Sequence, residues 1–218
     1  FGARFVQIYG QGECPMTLTS LSRDDVMDHE HPRWRERLAS VGTAQSCVSV
    51  RVVGEDGEDM PVGEIGEIVI RGPNVTPGYE NNPEANATAF TDGWFRTGDQ
   101  GTMDNEGYIS ITGRLKEIIN RGGEKISPRE VDEILMDHPA VAQAVTFAMP
   151  HAKLGEEVAA AIVLREGQSA EESEVREFVA KHLADFKVPR KVLILDEIPK
   201  GATGKLQRIG LAEKLGLA

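Results

Sequence analysis

Lysine is absent from the first 115 residues of this 218-residue chain, and Lys116 is the earliest. Residues 1–113 carry eight arginines against 18 aspartates and glutamates, whereas residues 114–218 carry 16 basic side chains against 17 acidic ones. Neither half has the surplus of positive charge that a phosphate backbone demands, so a nucleic-acid partner is not expected. Cysteine is scarce as well. Cys14 and Cys47 stand 33 positions apart with no cluster of histidines beside them, which argues against a zinc site and a disulfide framework and makes a reducing cytoplasm the expected compartment. No apolar run approaches the ~20 residues of a membrane span, and the start has no signal-like pattern. An initiator methionine is also missing. The chain opens Phe1-Gly-Ala-Arg-Phe-Val-Gln-Ile-Tyr-Gly, already inside an apolar strand, so residues are expected upstream.

The length allows one large domain or two of ~100 residues each, and the change in charge favours two. In the first half the pattern is one of short strands. Residues 4–9 and 16–21 read as strands around a loop at 10–15, and residues 48–53 and 66–72 read as strands with a turn at 54–57. Residues 22–38 are charged and read as a polar helix or excursion; His29 and His31 lie there without a third ligand at zinc spacing and read as solvent-exposed. Pro73, Pro77 and Pro83 with several asparagines make residues 74–86 an expected irregular surface loop. A hairpin with Asp104-Asn-Glu-Gly as its turn follows.

The stretch from Gly113 to Pro128 changes the pattern. It sets lysine, arginine and glutamate side chains beside the adjacent Gly122 and Gly123, more charge than a plain strand-to-helix connection needs, and reads as a joint between two domains. Ser127 and Glu130 form a capping-box pattern around Pro128, and Val131, Ile134 and Leu135 follow at helical spacing. His138-Pro139 ends that helix. Residues 141–149 and 157–164 are β-branched runs suited to antiparallel pairing. Ser169 with Glu172 marks a second helix, striped by Val175, Phe178, Val179 and Leu183. A strand at 192–195, a loop at 199–205 and a short helix at 206–215 complete the chain. The expected fold is α+β: a small β-barrel-like subdomain over residues 1–114, then a small α+β domain with a mixed sheet and helices over residues 115–218.

Four motifs carry the chemistry: Tyr9-Gly-Gln-Gly-Glu13, Gly93-Trp-Phe-Arg-Thr-Gly-Asp99, Gly113-Arg114-Leu-Lys116 and Pro199-x5-Lys205-x2-Arg208. In this order and spacing they resemble the adenylate-forming, AMP-binding superfamily of acyl-CoA synthetases, aryl-CoA ligases, luciferases and peptide-synthetase adenylation domains. The resemblance covers nearly the whole chain. It implies that residues 1–114 are the C-terminal part of a large AMP-binding domain and that residues 115–218 are a mobile C-terminal domain pivoting near Lys116.

Each residue keeps a plainer reading beside the one the resemblance implies. The Asp99 carboxylate can match both hydroxyls of a ribose, and the resemblance makes it the ribose clamp of ATP; taken alone it could be a turn aspartate bonding its own backbone. Arg114 offers planar donors to sugar or phosphate oxygens, or a surface ion pair. By similarity Tyr9 lines the adenine or acyl side, although a strand-ending tyrosine is often core. The resemblance gives Glu13 the Mg²⁺ that accompanies the ATP phosphates, a hard cation suited to carboxylate oxygen. Gly12 departs from the pattern, since the family places a hydroxyl residue just before that glutamate. Lys205 lies in a glycine-bearing loop that lacks the Gly-x4-Gly-Lys-Ser/Thr pattern of a phosphate-binding loop. The resemblance assigns it to the adenylation step, and the plain alternative is a surface lysine. Gly122 and Gly123 could let a pantetheine arm pass close to backbone, or could make a tight turn.

The implied activity is that of an acyl-CoA synthetase. A carboxylic acid, with the Gly-Gln-Gly-Glu variant tilting towards a fatty acid, reacts with ATP to give an acyl-adenylate, and the acyl group passes to coenzyme A. A domain loading a carrier-protein thiol and a non-catalytic module of the same fold are the alternatives. The expected partners are the acid, ATP, coenzyme A and the upstream part of the chain's own N-terminal domain. The family's phosphate loop and most of its acyl pocket are expected upstream of Phe1. The 218-residue chain alone should therefore form no adenylate, and acid-dependent release of pyrophosphate by the purified chain would contradict this.

Overall fold

The computed structural model describes residues 4–201 and 204–217; Ala202 and Thr203, within the expected loop, lie outside the described residues. The chain divides into two units, Phe1–Leu115 and Lys116–Ala218, and each has its own apolar core.

In the first unit, β1 (Gln7–Gln11) and β2 (Cys14–Leu21) form an antiparallel hairpin. The charged excursion is two short helices, α1 (Arg23–Met27) and α2 (Trp34–Ala39). Ser22 opens the first through a reciprocal box, its hydroxyl accepting from the Asp25 N–H while the Asp25 carboxylate accepts from the Ser22 N–H, both at 3.1 Å. His29 stacks on Trp34 with ring centroids 4.4 Å apart. The short β3 (Thr43–Ala44) then pairs with β2. Next come β4 (Ser49–Val53), β5 (Gly66–Arg71), α3 (Pro83–Ala89), β6 (Phe90–Thr91), β7 (Trp94–Met103) and β8 (Ile109–Arg114). Their sheet runs β4-β5-β7-β6, with β8 also on β7, all antiparallel. Val52, Ile68, Ile70, Phe95 and Ile109 from this sheet meet Cys14 and Leu18 from β2 in one core.

Part of the segment expected as irregular loop is helical. Asn82 Oδ1 accepts from the Ala85 N–H at 3.1 Å and Pro83 stands at the first helical position, so cap and fixed φ together start α3. The Asp104 turn forms as expected, Asp104 Oδ1 accepting from the N–H groups of Glu106 at 2.9 Å and Tyr108 at 2.8 Å.

The second unit comprises β9 (Ile119–Arg121), β10 (Glu124–Ile126), α4 (Pro128–Asp137), β11 (Val141–His151), β12 (Gly155–Leu164), α5 (Glu172–Ala180), β13 (Lys191–Ile194) and α6 (Leu211–Lys214). Its sheet runs β10-β9-β12-β11, with β13 parallel to β12, so it is mixed as expected. β12 is central and apolar on both faces because its alternation serves two cores. Val158, Ala160 and Ile162 face Val131 and Leu135 of α4 and Val175 and Val179 of α5; Ala159 and Ala161 face Phe147, Ile198 and Leu211. The chain as a whole is α+β, with a curled half-barrel sheet.

Two helix boundaries depart from expectation. α5 begins at Glu172 rather than after Ser169, because the Glu172 carboxylate pairs with Lys191 at 2.8 Å and accepts from the Val192 N–H at 3.0 Å, tying the helix start to β13. α6 is only four residues long, since Leu206 is held in a bridge with Lys200 and Gly210 adopts φ +74°. Among the described residues, no helix is long and apolar enough to cross a membrane.

Phe147 is fully buried, so Phe147→Ala should cost about 3–5 kcal/mol. Both tryptophans and all three tyrosines fall within residues 1–115; urea unfolding should therefore be followed by far-UV circular dichroism, and a loss below about 1 kcal/mol would contradict this packing.

Candidate functional site

The alternation that turns Phe95 and Thr97 inward along β7 also turns Asp99 inward, leaving it 5% exposed. A buried carboxylate is costly unless donors surround it. Three side chains do so here. Tyr9 Oη and Gln11 Nε2 each donate to Asp99 Oδ2 at 2.5 Å, and Arg114 Nε donates to Oδ1 at 2.6 Å. Arg114 is the direct cross-strand partner of Asp99, and Tyr9 and Gln11 are two apart on β1, the spacing that puts both on one face. Thr97 completes the support, its hydroxyl accepting from the Asp99 N–H at 3.1 Å and donating to the Ile68 carbonyl at 2.6 Å. Burial raises the Tyr9 phenol far above its ordinary pKa, and the hydrogen bond to Asp99 adds to the shift.

Tyr9, Asp99 and Arg114 are thus brought together. Gln11, within the Tyr9–Glu13 motif, is a further member of this cluster, and its i+2 relation to Tyr9 is the signal that identifies it. Its amide also donates to the Thr97 carbonyl at 3.1 Å. The cluster fits a diol ligand on one condition. A carboxylate has about four acceptor sites and three are filled, so a second ligand hydroxyl requires one donor to withdraw. Gln11, which has Thr97 as an alternative acceptor, can do so without losing all its partners.

Glu13 is the second residue of the turn in the same hairpin. Its Oε1 accepts from Tyr79 Oη at 2.7 Å and its carbonyl accepts from the Thr76 N–H at 2.8 Å, so a tyrosine from the Pro/Asn-rich segment orients this carboxylate. The phenol of Tyr79 is pushed up to about 12, first by burial and then by this hydrogen bond. Gly12 is exposed, and a Cβ there would meet nothing within 4 Å; no steric demand excludes a hydroxyl side chain. Among the described residues, no group of three or more His, Cys, Asp and Glu side chains is placed to hold a metal ion.

The remaining candidates belong to the second unit. Lys116 is exposed in a 3₁₀ turn, Leu115–Glu117. Gly122 and Gly123 form the two-residue turn between β9 and β10 with φ +59° and +103°, values that demand glycine for local reasons. Gly122 also donates its N–H to the Leu154 carbonyl at 3.0 Å. Lys205 is exposed; its carbonyl accepts from the Gly201 N–H at 2.8 Å.

The AMP-binding enzyme family profile matches residues 1–80, and the AMP-binding enzyme C-terminal domain profile matches residues 130–205. The chain belongs to the adenylate-forming, AMP-binding superfamily. Within the superfamily it is 58% identical over 213 residues to the Probable CoA ligase CCL9 of Humulus lupulus, covering 98% of this chain and 39% of that protein. It is 46% identical to the oxalate–CoA ligase of Arabidopsis thaliana (95% of this chain, 39% of that protein), and 35% identical to a medium/long-chain-fatty-acid–CoA ligase of Mycobacterium tuberculosis (94% and 36%). Among solved members of the superfamily, ATP-bound MatB from Rhodopseudomonas palustris superposes with a TM-score of 0.84 at 36% identity, covering 96% of this chain and 40% of that one. The amide bond synthetase McbA from Marinactinospora thermotolerans gives 0.85 at 34% identity, covering 98% and 43%. The chain thus spans about two-fifths of the length of the relatives it matches.

Tyr108 is pushed up to about 12, by burial and then by its hydrogen bond to Asp25, so all three tyrosines should ionise above the ordinary value of about 10. A raised folded-state value favours the native state below about pH 10, and this contribution is lost as pH rises through about 12. Absorbance at 295 nm should therefore stay flat to about pH 11. A native tyrosine titrating near 10 would contradict these environments.

Proposed function

We propose that the protein containing this chain is a carboxylic acid–CoA ligase that works in two steps. In the first, a carboxylate oxygen of the acid attacks the α-phosphorus of ATP; the bond to the bridging oxygen breaks and pyrophosphate leaves, giving an acyl-adenylate. In the second, the thiol of coenzyme A loses its proton to solvent, its sulfur attacks the acyl carbon, and AMP leaves. The buried Asp99 carboxylate with its convergent donors carries this reading, because a nucleotide sugar needs such a pre-oriented acceptor.

Asp99 grips the ribose hydroxyls as Gln11 withdraws, Arg114 keeps the carboxylate aligned and reaches sugar or phosphate oxygen, and Tyr9 borders the adenine or acyl side. Glu13 would hold Mg²⁺, which when bound supplies charge neutralisation at the phosphates. Lys205 offsets the charge that develops around the α-phosphate and orients the attacking carboxylate. Residues 115–218 act as a mobile domain that pivots at Lys116 between the steps, and the Gly122-Gly123 turn lets the pantetheine arm approach backbone. The cytoplasm is the proposed compartment.

A fatty acid is one proposed substrate, in keeping with the mycobacterial relative. A short dicarboxylic acid is the second reading, favoured by the higher identity, 46% and 44%, to two proteins named oxalate–CoA ligase.

In the full-length enzyme, Lys205→Ala should lower pyrophosphate release by about 10²–10³-fold, measured over acids from oxalate and acetate to long-chain fatty and aryl acids, with and without coenzyme A. Undiminished release would remove Lys205 from the adenylation step, and the acid with the highest kcat/KM decides between the two substrate readings.

A further inference from the structure

Arg208 closes the Lys205 motif, and the functional reading above leaves it without a role. The second unit builds a receptacle for it. Arg208 Nε donates to Glu117 Oε2 at 2.9 Å, and Nη1 lies 2.7 Å from Asp132 Oδ2 and donates to the Thr146 carbonyl at 3.1 Å. Asp132, on α4, is in turn fixed to β11, its Oδ1 accepting from the Thr146 N–H at 2.6 Å. The Arg208 side chain is 21% exposed and that of Asp132 15%. Burial pushes the Asp132 carboxyl up, against the opposing pull of Arg208.

The placement of these contacts is informative. Lys205 sits on a loop closed by the Lys200–Leu206 bridge and by the Gly201–Lys205 hydrogen bond. One stem of that loop is anchored by Ile198 and the other by Leu211, both fully or almost fully buried. Between Lys205 and Leu211, Arg208 is the polar anchor. Its acceptor Glu117 immediately follows Lys116 in the same 3₁₀ turn. One ion pair therefore joins the stem of the lysine loop to the turn proposed as the pivot, and both partners line a cavity of about 370 Å³ with Lys116 and Ile209.

Resting on the function proposed above, we propose that Arg208 is a positioning residue for Lys205: it clamps the stem of the loop to α4 and β11 and, through Glu117, ties it to the Lys116 turn. The planar fork of arginine reaches three acceptors in fixed directions, which the single ammonium of lysine cannot do. A misplacement of about 1 Å in a catalytic group is enough to cost up to about 10²-fold, and the cost should fall only on the step that uses Lys205.

The test separates the half-reactions in the full-length enzyme. Arg208→Gln should lower kcat for pyrophosphate release by about 10- to 100-fold, leave KM for ATP and acid within about threefold, and leave transfer from a preformed acyl-adenylate to coenzyme A within about twofold. Arg208→Lys should not restore adenylation. Because Arg208→Gln strands the Asp132 carboxylate and can destabilise the fold, Glu117→Gln is the companion variant: it keeps the Asp132 contact, should lower adenylation alone, and should add little when combined with Arg208→Gln. Equal losses in both half-reactions, or unchanged adenylation in Arg208→Gln while Lys205→Ala abolishes it, would overturn this inference alone. Retained adenylation in Lys205→Ala would instead overturn the function on which it rests.

Discussion

The Asp99 carboxylate is the point at which the first unit is most constrained. A strand that alternates inward and outward cannot bury Phe95 without also burying the residue four positions on, and that residue carries a charge. Its stability then depends on donors from β1 and β8, so the hairpin β1–β2 and the sheet around β7 must meet in one register. A slip by one residue would turn Asp99 to solvent and Tyr9 and Gln11 away from it. Packing and the geometry of this cluster are here the same constraint.

The second unit solves a related problem around Asp132. There a single arginine meets a carboxylate from α4, another from the 3₁₀ turn and a carbonyl from β11. The central strand β12, apolar on both faces, gives this arrangement a rigid base, because α4 and α5 pack on one side and Phe147, Ile198 and Leu211 on the other. Arg121 and Glu157 form a similar, partly buried pair at 2.6 Å near the β9–β10 turn. Charged groups at partly buried positions hold the loops of this unit in place, while alanines and branched residues in β12 hold its core.

Much of the architecture was legible in residue order. Period-two runs marked the strands, the β11–β12 pairing followed from two β-branched runs across a short turn, and the Asp104 turn was readable from its asparagine and glycine. The departures from expectation lie at helix starts. Glu172 is drawn to β13, which shifts the start of α5; Asn82 caps α3 within a segment that looked irregular; Leu206 bridges to Lys200, which shortens α6. Within the site, Asp99, Arg114 and Tyr9 were visible through motif resemblance. Gln11 is signalled only by its i+2 spacing to Tyr9, and nothing local says that Tyr79 meets Glu13, 66 residues away.

By itself the sequence determined the alternation of strands, the two-part charge distribution and the motifs that identify the superfamily, since these depend on neighbours within a few residues. Tertiary structure alone decided that the Asp99 oxygens are filled by three side chains, that Tyr79 orients Glu13, and that Arg208 binds Glu117 and Asp132. Those contacts arise only when elements from distant parts of the chain come together, where the cost of burying a charge selects which donor each acceptor receives.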